Sequence, residues 1–369
     1  MVELSEKSIK RYTAICPLCD ETSIFDLDDN ELQNHMQGDL ATFTLDSHGN
    51  PPHILFVYID KQKNIRGTYP FLVKQSPPLG KSGLNYNHFV DAASDITAEE
   101  AESSGIRIIP YDVQINGKAK KSYPFEISLP EILGLLIQNR KLDSLPIQTE
   151  KFMETFTSID NELPIIVNTI SSQISKNYRN ALKAKKIISK NDPQLANRIN
   201  IVDSLAAGSI LKTIAKQSVE MDRKGRELQE IMMYSEWLRH YHRTYFIVHD
   251  TEKIRRSNFL GRFSGIMGGK PLIACNVDGL GKIEPCKNVR TFKEGLGEIG
   301  RLIKKDFVRR KFTGTIFHAL SEQNAYRLLE YLSIMFKVNK GELQIESCCS
   351  TIGINGGLGV LGLSIYPKI

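Results

Sequence analysis

The sequence is short of the raw material for several protein classes. Six cysteines in 369 residues are too few for a disulfide scaffold, and the adjacent Cys348 and Cys349 are badly placed to staple anything. They read as reduced thiols. No stretch reaches the roughly 18 uninterrupted apolar residues of a membrane helix. The nearest, "STIGINGGLGVLGLSIY" at 350–366, is broken by Asn355 and by glycines, so no transmembrane segment is expected. The start, "MVELSEKSIKRY", lacks both a secretory pattern and a lipidation motif, and the expected location is cytoplasmic. Two glycine-rich stretches, "GRFSGIMGGK" and "GINGGLGVLG", match neither a P-loop nor a dinucleotide fingerprint, which leaves nucleotide binding without support. No serine stands in a G-x-S-x-G elbow, so a hydrolase nucleophile has no signature. Repeats of solenoid length are absent too.

Charge excludes less. The net charge of +6 is spread over helical segments such as "KNYRNALKAKK", "KIRRSNFLGR" and "KKDFVRRKF". Such runs are solvated faces or surfaces for an acidic ligand or partner. Nucleic acid is not expected as a partner, because no recognition module or aromatic-basic repeat is visible.

With 41% hydrophobic residues the chain can fill two or three modules. A boundary is expected in "KQSPPLGKSGLNYN", residues 74 to 87, where two prolines, two glycines and two serines disfavour regular structure. The expected division is 1–82, 83–221 and 222–369. The first is a small β-rich module holding "CPLC" and a hairpin, "PPHILFVYIDKQKNIRGTYPFLV", that turns at Lys61 to Asn64. Beyond it, short apolar runs alternate with long helical patterns: "HFVDAA" with "TAEEAESS", "LPIIVNTI" with "KNYRNALKAKKIIS", and "RINIVD" with "LAAGSILKTIAKQSVE". That alternation predicts an α/β fold with parallel strands and helical crossovers. A second alternating block begins near residue 222, and the cleft between two such lobes is a natural place for a ligand.

Chemistry-bearing residues are sparse. Cys16 and Cys19 form the sole C-x2-C pair, and zinc prefers four ligands. His35, His48 and His53 lie near in sequence, and a mixed site with His48 and His53 is the candidate metal centre. A redox pair has less support, since no long helix follows the motif. Serines cluster at strand ends in "NTISSQISKNY" and "VDSLAAG", where a hydroxyl beside a helix start can hold a carboxylate or phosphate oxygen. Ser175 and Ser204 could equally be plain helix caps. His249 and His318 fall at strand ends, a position that suits a structural role.

The order of these pieces resembles the DegV family of two-lobed α/β lipid-binding proteins over roughly residues 87 to 369. The resemblance rests on "FVDAASDITAEEAESSGIRIIPYDVQINGK", "ISSQISKNYRNALKA", "VDSLAAG", "NFLGRFSGIMGGKPLI", "GKIEPCKNVRTFKEGL" and "CCSTIGINGGLGVLGL". The first 80 residues fall outside it. The resemblance implies a long-chain fatty acid in a tunnel between the lobes, presented to a separate fatty acid kinase-like partner, with no catalysis by this chain and no required cofactor.

Site residues implied by the resemblance are Ser175, in the element similar to "LSGT"; Arg290, in "NVRT"; Arg262, in "LGRFSG"; and Ser144, Ser172, His318 and Asn355. Three departures bear on the head group. "DSLP" at 143–146 puts Asp143 where the family has threonine, "ISKNY" puts Lys176 and Asn177 where small residues stand, and Asn355 replaces a histidine. Asparagine keeps a donor but cannot carry charge. A negative Asp143 could repel an anionic head group, and Lys176 could offset it. The leading expectation is therefore a fatty acid or related amphiphile held by a binding protein. The alternatives are an enzyme acting on another amphiphile, and a scaffold whose first module binds a partner through zinc.

Overall fold

The hairpin expected around Lys61 to Asn64 is present and belongs to a larger antiparallel array. The structure is a computed structural model that describes residues 9–37, 40–48, 53–72, 83–248, 270–276, 279–307, 311–347 and 350–368. Arg262, His249, the adjacent Cys348 and Cys349, and most of the expected linker lie outside the described residues.

Met1–Lys81 form one compact unit and Ser82–Lys368 another. In the first, β1 (Ile9–Ile15) and β2 (Thr22–Asp28) pair antiparallel. A short helix, Asp29–Asn34, follows, capped reciprocally by Asp28 and Glu31. Then β3 (Met36–Gln37), β4 (Leu40–His48), β5 (His53–Asp60) and β6 (Ile65–Leu72) make an antiparallel meander in chain order. Tyr12, Ala14 and Cys16 recur at a spacing of two on β1 and its exit, so all three turn inward. They meet Leu32, Ala41, Phe43, Leu55, Val57 and Ile59 in a small core.

In the second unit, β7 (Asn87–Asp91) and β12 (Ile165–Thr169) are buried at every position. Strands buried on both faces belong in a parallel sheet covered by helices. With β8 (Ile106–Ile109) and β13 (Ile199–Asp203) they make a four-stranded sheet, β13-β12-β7-β8, with all pairs parallel. The expected helices are there: Ala98–Ser104 and Asn177–Asn191 on crossovers between strands, and Ser209–Arg223 after β13. A feature not read from the sequence is a three-stranded antiparallel sheet, β10-β9-β11, built from β9 (Tyr111–Ile115), β10 (Ala119–Tyr123) and β11 (Leu142–Ser144).

The second lobe is entered through helix Leu228–Tyr241. Its sheet has the order β16-β15-β14-β19-β17-β18, from β14 (Arg243–Ile247), β15 (Lys270–Cys275), β16 (Ile283–Val289), β17 (Phe312–His318), β18 (Leu343–Ser347) and β19 (Leu361–Pro367). Only β17 and β18 run parallel, so this sheet is mixed. One face packs on helices Phe292–Asp306 and Glu322–Phe336 through Ile247, Ile299, Ile303, Ile316, Leu328 and Leu332. The other contributes Phe246, Ile273 and Phe317 to an apolar core that also contains Phe89, Ile109, Val113, Leu133 and Phe152 of the first lobe. The two lobes thus share one hydrophobic interior.

Polar contacts brace the first lobe and join it to the second. Asp222, on the last helix of the first lobe, accepts hydrogen bonds from the backbone N–H of Asn85 and Tyr86 and from the Asn85 amide; His88 Nε2 lies 2.9 Å from it. Burial raises this carboxyl, but the bonds from His88 and Asn85 outweigh it and hold Asp222 below the usual carboxylate range. Between the lobes, Ser171 Oγ donates to the Gly281 carbonyl at 2.9 Å. A Cβ at Gly281 would stand 2.7 Å from Leu205 Cα, and its φ of +70° is left-handed; only glycine fits that approach.

Candidate functional site

The glycine-bearing stretch "STIGING" forms a short buried helix, Ser350–Gly356. Two glycines inside a helix are unfavourable locally, so tertiary contacts must decide. Ile352 and Ile354 join the core shared by the lobes, beside Leu133 and Leu136. The helix start is pinned by Asp95, whose Oδ1 accepts from the Ser350 N–H and hydroxyl, each at 3.0 Å. Asp95 itself has left-handed backbone, with φ +52°.

Around that pin lies a polar strip. Tyr123 donates to Asp95 at 3.2 Å, Tyr111 shares a short hydrogen bond with Ser350, and Thr351 donates to the Tyr111 hydroxyl at 3.3 Å. One turn on, the Asn355 amide donates to Thr351 O at 2.8 Å and to the Ser144 hydroxyl at 3.2 Å. Ser144 sits on β11, paired with Val113 of β9. Two site residues implied by sequence, 211 positions apart, are therefore in direct contact across the lobes.

Burial sets the electrostatics. It pushes the Asp95 carboxyl up to about 7, against the opposing pull of its bonds from Ser350 and Tyr123, and a further lowering by Lys212. Oδ2 of Asp95 is buried and has no hydrogen-bond partner among the described residues. Burial, with the Asp95 charge next, also raises the phenols of Tyr111 and Tyr123. The strip is therefore a network of hydroxyl and amide groups around a carboxyl that is only partly ionised near neutral pH.

The β11 loop is held in place by a second network. Asp91, at the end of β7, accepts from the N–H of Ala93 and Ile170 and from the Asn177 amide; burial raises it to about 6. Asn177 Oδ1 in turn receives the Ile147 N–H and the Ser175 hydroxyl, and the Asn180 amide donates to Ile147 O. Asn177 thus joins the Ser175 helix start to the segment carrying Ser144. Its size, unusual for that position in the family pattern, is used structurally. Ser172 is tied nearby through its N–H to Asp203 at 3.0 Å.

Other candidates stand apart. Alternation along β11 puts Asp143 on the face opposite Ser144 and buried Leu142; its ion-pair partner, at 3.7 Å, is Lys141. Lys176 is exposed and is not the cation that meets Asp143 among the described ion pairs. Arg290 is exposed after β16, the edge strand, with its N–H bonded to Glu294. His318 shares the face of Ile316, toward the helices of the second lobe rather than the shared core; its Nδ1 accepts the Ser321 N–H at 3.4 Å and burial lowers its pKa. Sequence reasoning missed Asp95, Tyr111, Tyr123, Ser350 and Thr351. The usable signal was "AASD", an acidic residue one short turn after a buried strand.

The fold matches known proteins. The family model described as uncharacterised protein, DegV family, matches residues 89–368. The chain belongs to the DegV family. A DegV domain-containing protein of Caldanaerobacter subterraneus subsp. tengcongensis is 26% identical over 233 residues, 60% of this chain and 78% of that one. Among solved structures, a fatty acid binding DegV family protein of Streptococcus agalactiae superimposes with a TM-score of 0.66 at 17% identity, covering 78% of this chain and 100% of that one. One from Thermus thermophilus, titled for fatty acid binding, gives 0.65 at 20% identity over 77% and 99%. The DegV fatty acid binding protein of Bacillus subtilis gives 0.62 at 20% identity over 78% and 100%. These likenesses establish the two-lobed α/β fold.

Proposed function

We propose that this chain binds a long-chain fatty acid or related anionic amphiphile between the two lobes of Ser82–Lys368 and presents the head group to a partner of the fatty acid kinase type. The observation that carries the reading is the Asn355–Ser144 contact, made by the two lobes at the margin of their shared apolar core. A carboxylate taken into such surroundings needs donors. The Ser144 hydroxyl, which accepts from the Asn355 amide and keeps its own proton to give, supplies one, with Asn355 orienting it; Ser175 and Ser172 lie on the adjoining turn. The tail supplies affinity: at ~0.8 kcal/mol per buried CH2, some fourteen methylenes contribute on the order of 10 kcal/mol before ordering costs.

Asp95 does not exclude an anion in this reading, because burial leaves it only partly ionised near neutral pH. Arg290, solvent-facing, is assigned to the rim that a partner would meet. Solved relatives titled for fatty acid binding share the fold, which supports the substrate class. The reading makes the chain a binding protein acting in the cytoplasm; no described helix is long and apolar enough to cross a membrane.

The test is titration of the full chain with a fluorescent fatty acid. Ser144→Ala should weaken binding about 10-fold or more, since a hydrogen bond to a charged group contributes roughly 1.5–3 kcal/mol, and Asn355→Ala should weaken it too by releasing the Ser144 hydroxyl from its held orientation. Binding unchanged in both variants contradicts the assignment.

A further inference from the structure

The lipid site leaves the Met1–Lys81 unit without a role, and that unit holds one cluster of soft ligands. Cys16 and Cys19 lie on the turn that joins β1 to β2. The turn is closed by the Cys16 N–H to Glu21 O and the Asp20 N–H to Cys16 O, both at 2.9 Å, with Asp20 at φ +57°. Inside it, the Leu18 N–H points at Cys16 Sγ at 3.5 Å. Backbone wrapped this way around a C-x2-C pair turns both sulfurs to one side and places a donor on the first. His48, at the end of β4, comes from the other sheet of the unit. One ligand atom from each of Cys16, Cys19 and His48 lies within 4.8 Å of the others. His53 stands directly opposite His48 in the β4–β5 register.

We infer that Cys16, Cys19 and His48 bind one zinc ion that ties the β1–β2 hairpin to the four-stranded meander. Tetrahedral zinc with Zn–S near 2.3 Å and Zn–N near 2.0–2.1 Å needs ligand atoms about 3.5–3.8 Å apart, so only small side-chain movements separate this cluster from a coordinated one. Two thiolates and an imidazole select zinc over calcium or magnesium, which take oxygen ligands. Loss of the two thiol protons on binding leaves the site with no net charge. The need is structural: the core described for this unit has nine buried residues, three of them Ala14, Cys16 and Ala41, and modules with so little apolar interior commonly rely on a metal or disulfide staple. Cys16 belongs to that core, so a metal there would be anchored in packed structure.

The experiment uses the full chain, purified without chelator or histidine tag, with metal measured by mass spectrometry. The reduced, chelator-stripped chain is then titrated with Co2+ followed by Zn2+. The expected result is about one zinc per chain and, with Co2+, visible d–d bands and thiolate-to-metal charge transfer that zinc abolishes. Cys16→Ser and Cys19→Ser should lose the metal, and His48→Ala should weaken the d–d bands and lower affinity at least tenfold. Cys286→Ser, at an exposed thiol, should change nothing. Because Cys16→Ser could unfold the small core, the wild-type stoichiometry and spectrum are the decisive readings. A wild-type chain that takes up no metal when reduced, or a Cys16→Ser/Cys19→Ser double variant that keeps a full equivalent, overturns the inference.

Discussion

Replacing Asp95 by Asn should flatten a pH dependence that the wild-type chain carries. The carboxyl has an ordinary value of 3.8 and is raised to about 7 in the fold. Between those values the folded chain holds a proton that the unfolded chain has released. Stability conferred by that proton is complete below about pH 4 and is lost as pH rises through 7. At about 1.4 kcal/mol per pH unit the full difference is on the order of 4 kcal/mol. Asn keeps the Oδ1 acceptor for Ser350 and Tyr123 and removes the charge. Its Nδ2 would stand where Oδ2 has no described partner, a cost of roughly 1–3 kcal/mol at every pH. The variant is therefore compared by slope and not by level. Trp237 is the sole tryptophan and is buried in the second unit, so its fluorescence during urea unfolding reports that unit alone. Wild type should lose stability from pH 5 to pH 8 more steeply than Asp95→Asn, by a few kcal/mol. Asp91, also raised, contributes equally to both and cancels. Parallel curves would refute the buried-carboxyl argument.

Three further outcomes are expected. Ser175→Ala should lower fatty acid binding less than Asn355→Ala does, because its hydroxyl is spent on Asn177; an equal or larger loss in the same titration would make Ser175 a direct contact. Gly314→Ala should destabilise the second lobe by more than about 2 kcal/mol through overpacking, since its Cβ would collide with the Ser364 carbonyl and lie 2.9 Å from Ile365 Cα; Gly297→Ala, with nothing within 4 Å in a helix, should be neutral or stabilise by up to about 1 kcal/mol, and thermal unfolding separates the two. Asp222→Ala should cost about 3 kcal/mol or more in urea unfolding, because it strands the buried His88 ring and the part-buried donors of Asn85 and Tyr86.

Elements with a strong period were legible in the sequence. β7, β12 and β17 and the helices at 177–191, 292–306 and 322–336 follow from apolar spacing alone. Helix Ser350–Gly356 was not, because glycine opposes it locally and only its contacts with Leu133, Leu136 and Asp95 stabilise it. The Ser144–Asn355 pair could be named but not joined, since residues so far apart in sequence meet only through β11 and the last helix. Asp143 looked threatening beside Ser144 until strand alternation put the two on opposite faces. The Asp95 network stayed hidden because each member is an ordinary surface-type residue in isolation; burial, which makes it chemically distinctive, is a property of the fold.

The central claim, that the second unit holds an anionic lipid, is tested most directly by denaturing mass spectrometry of organic extracts from the purified full chain, with Asn355→Ala/Ser144→Ala prepared in parallel. The account predicts a fatty acid or related anionic amphiphile near one equivalent in wild type and much less in the double variant. Wild-type protein that yields no stoichiometric amphiphile, and takes none up when fatty acid is supplied, would contradict it.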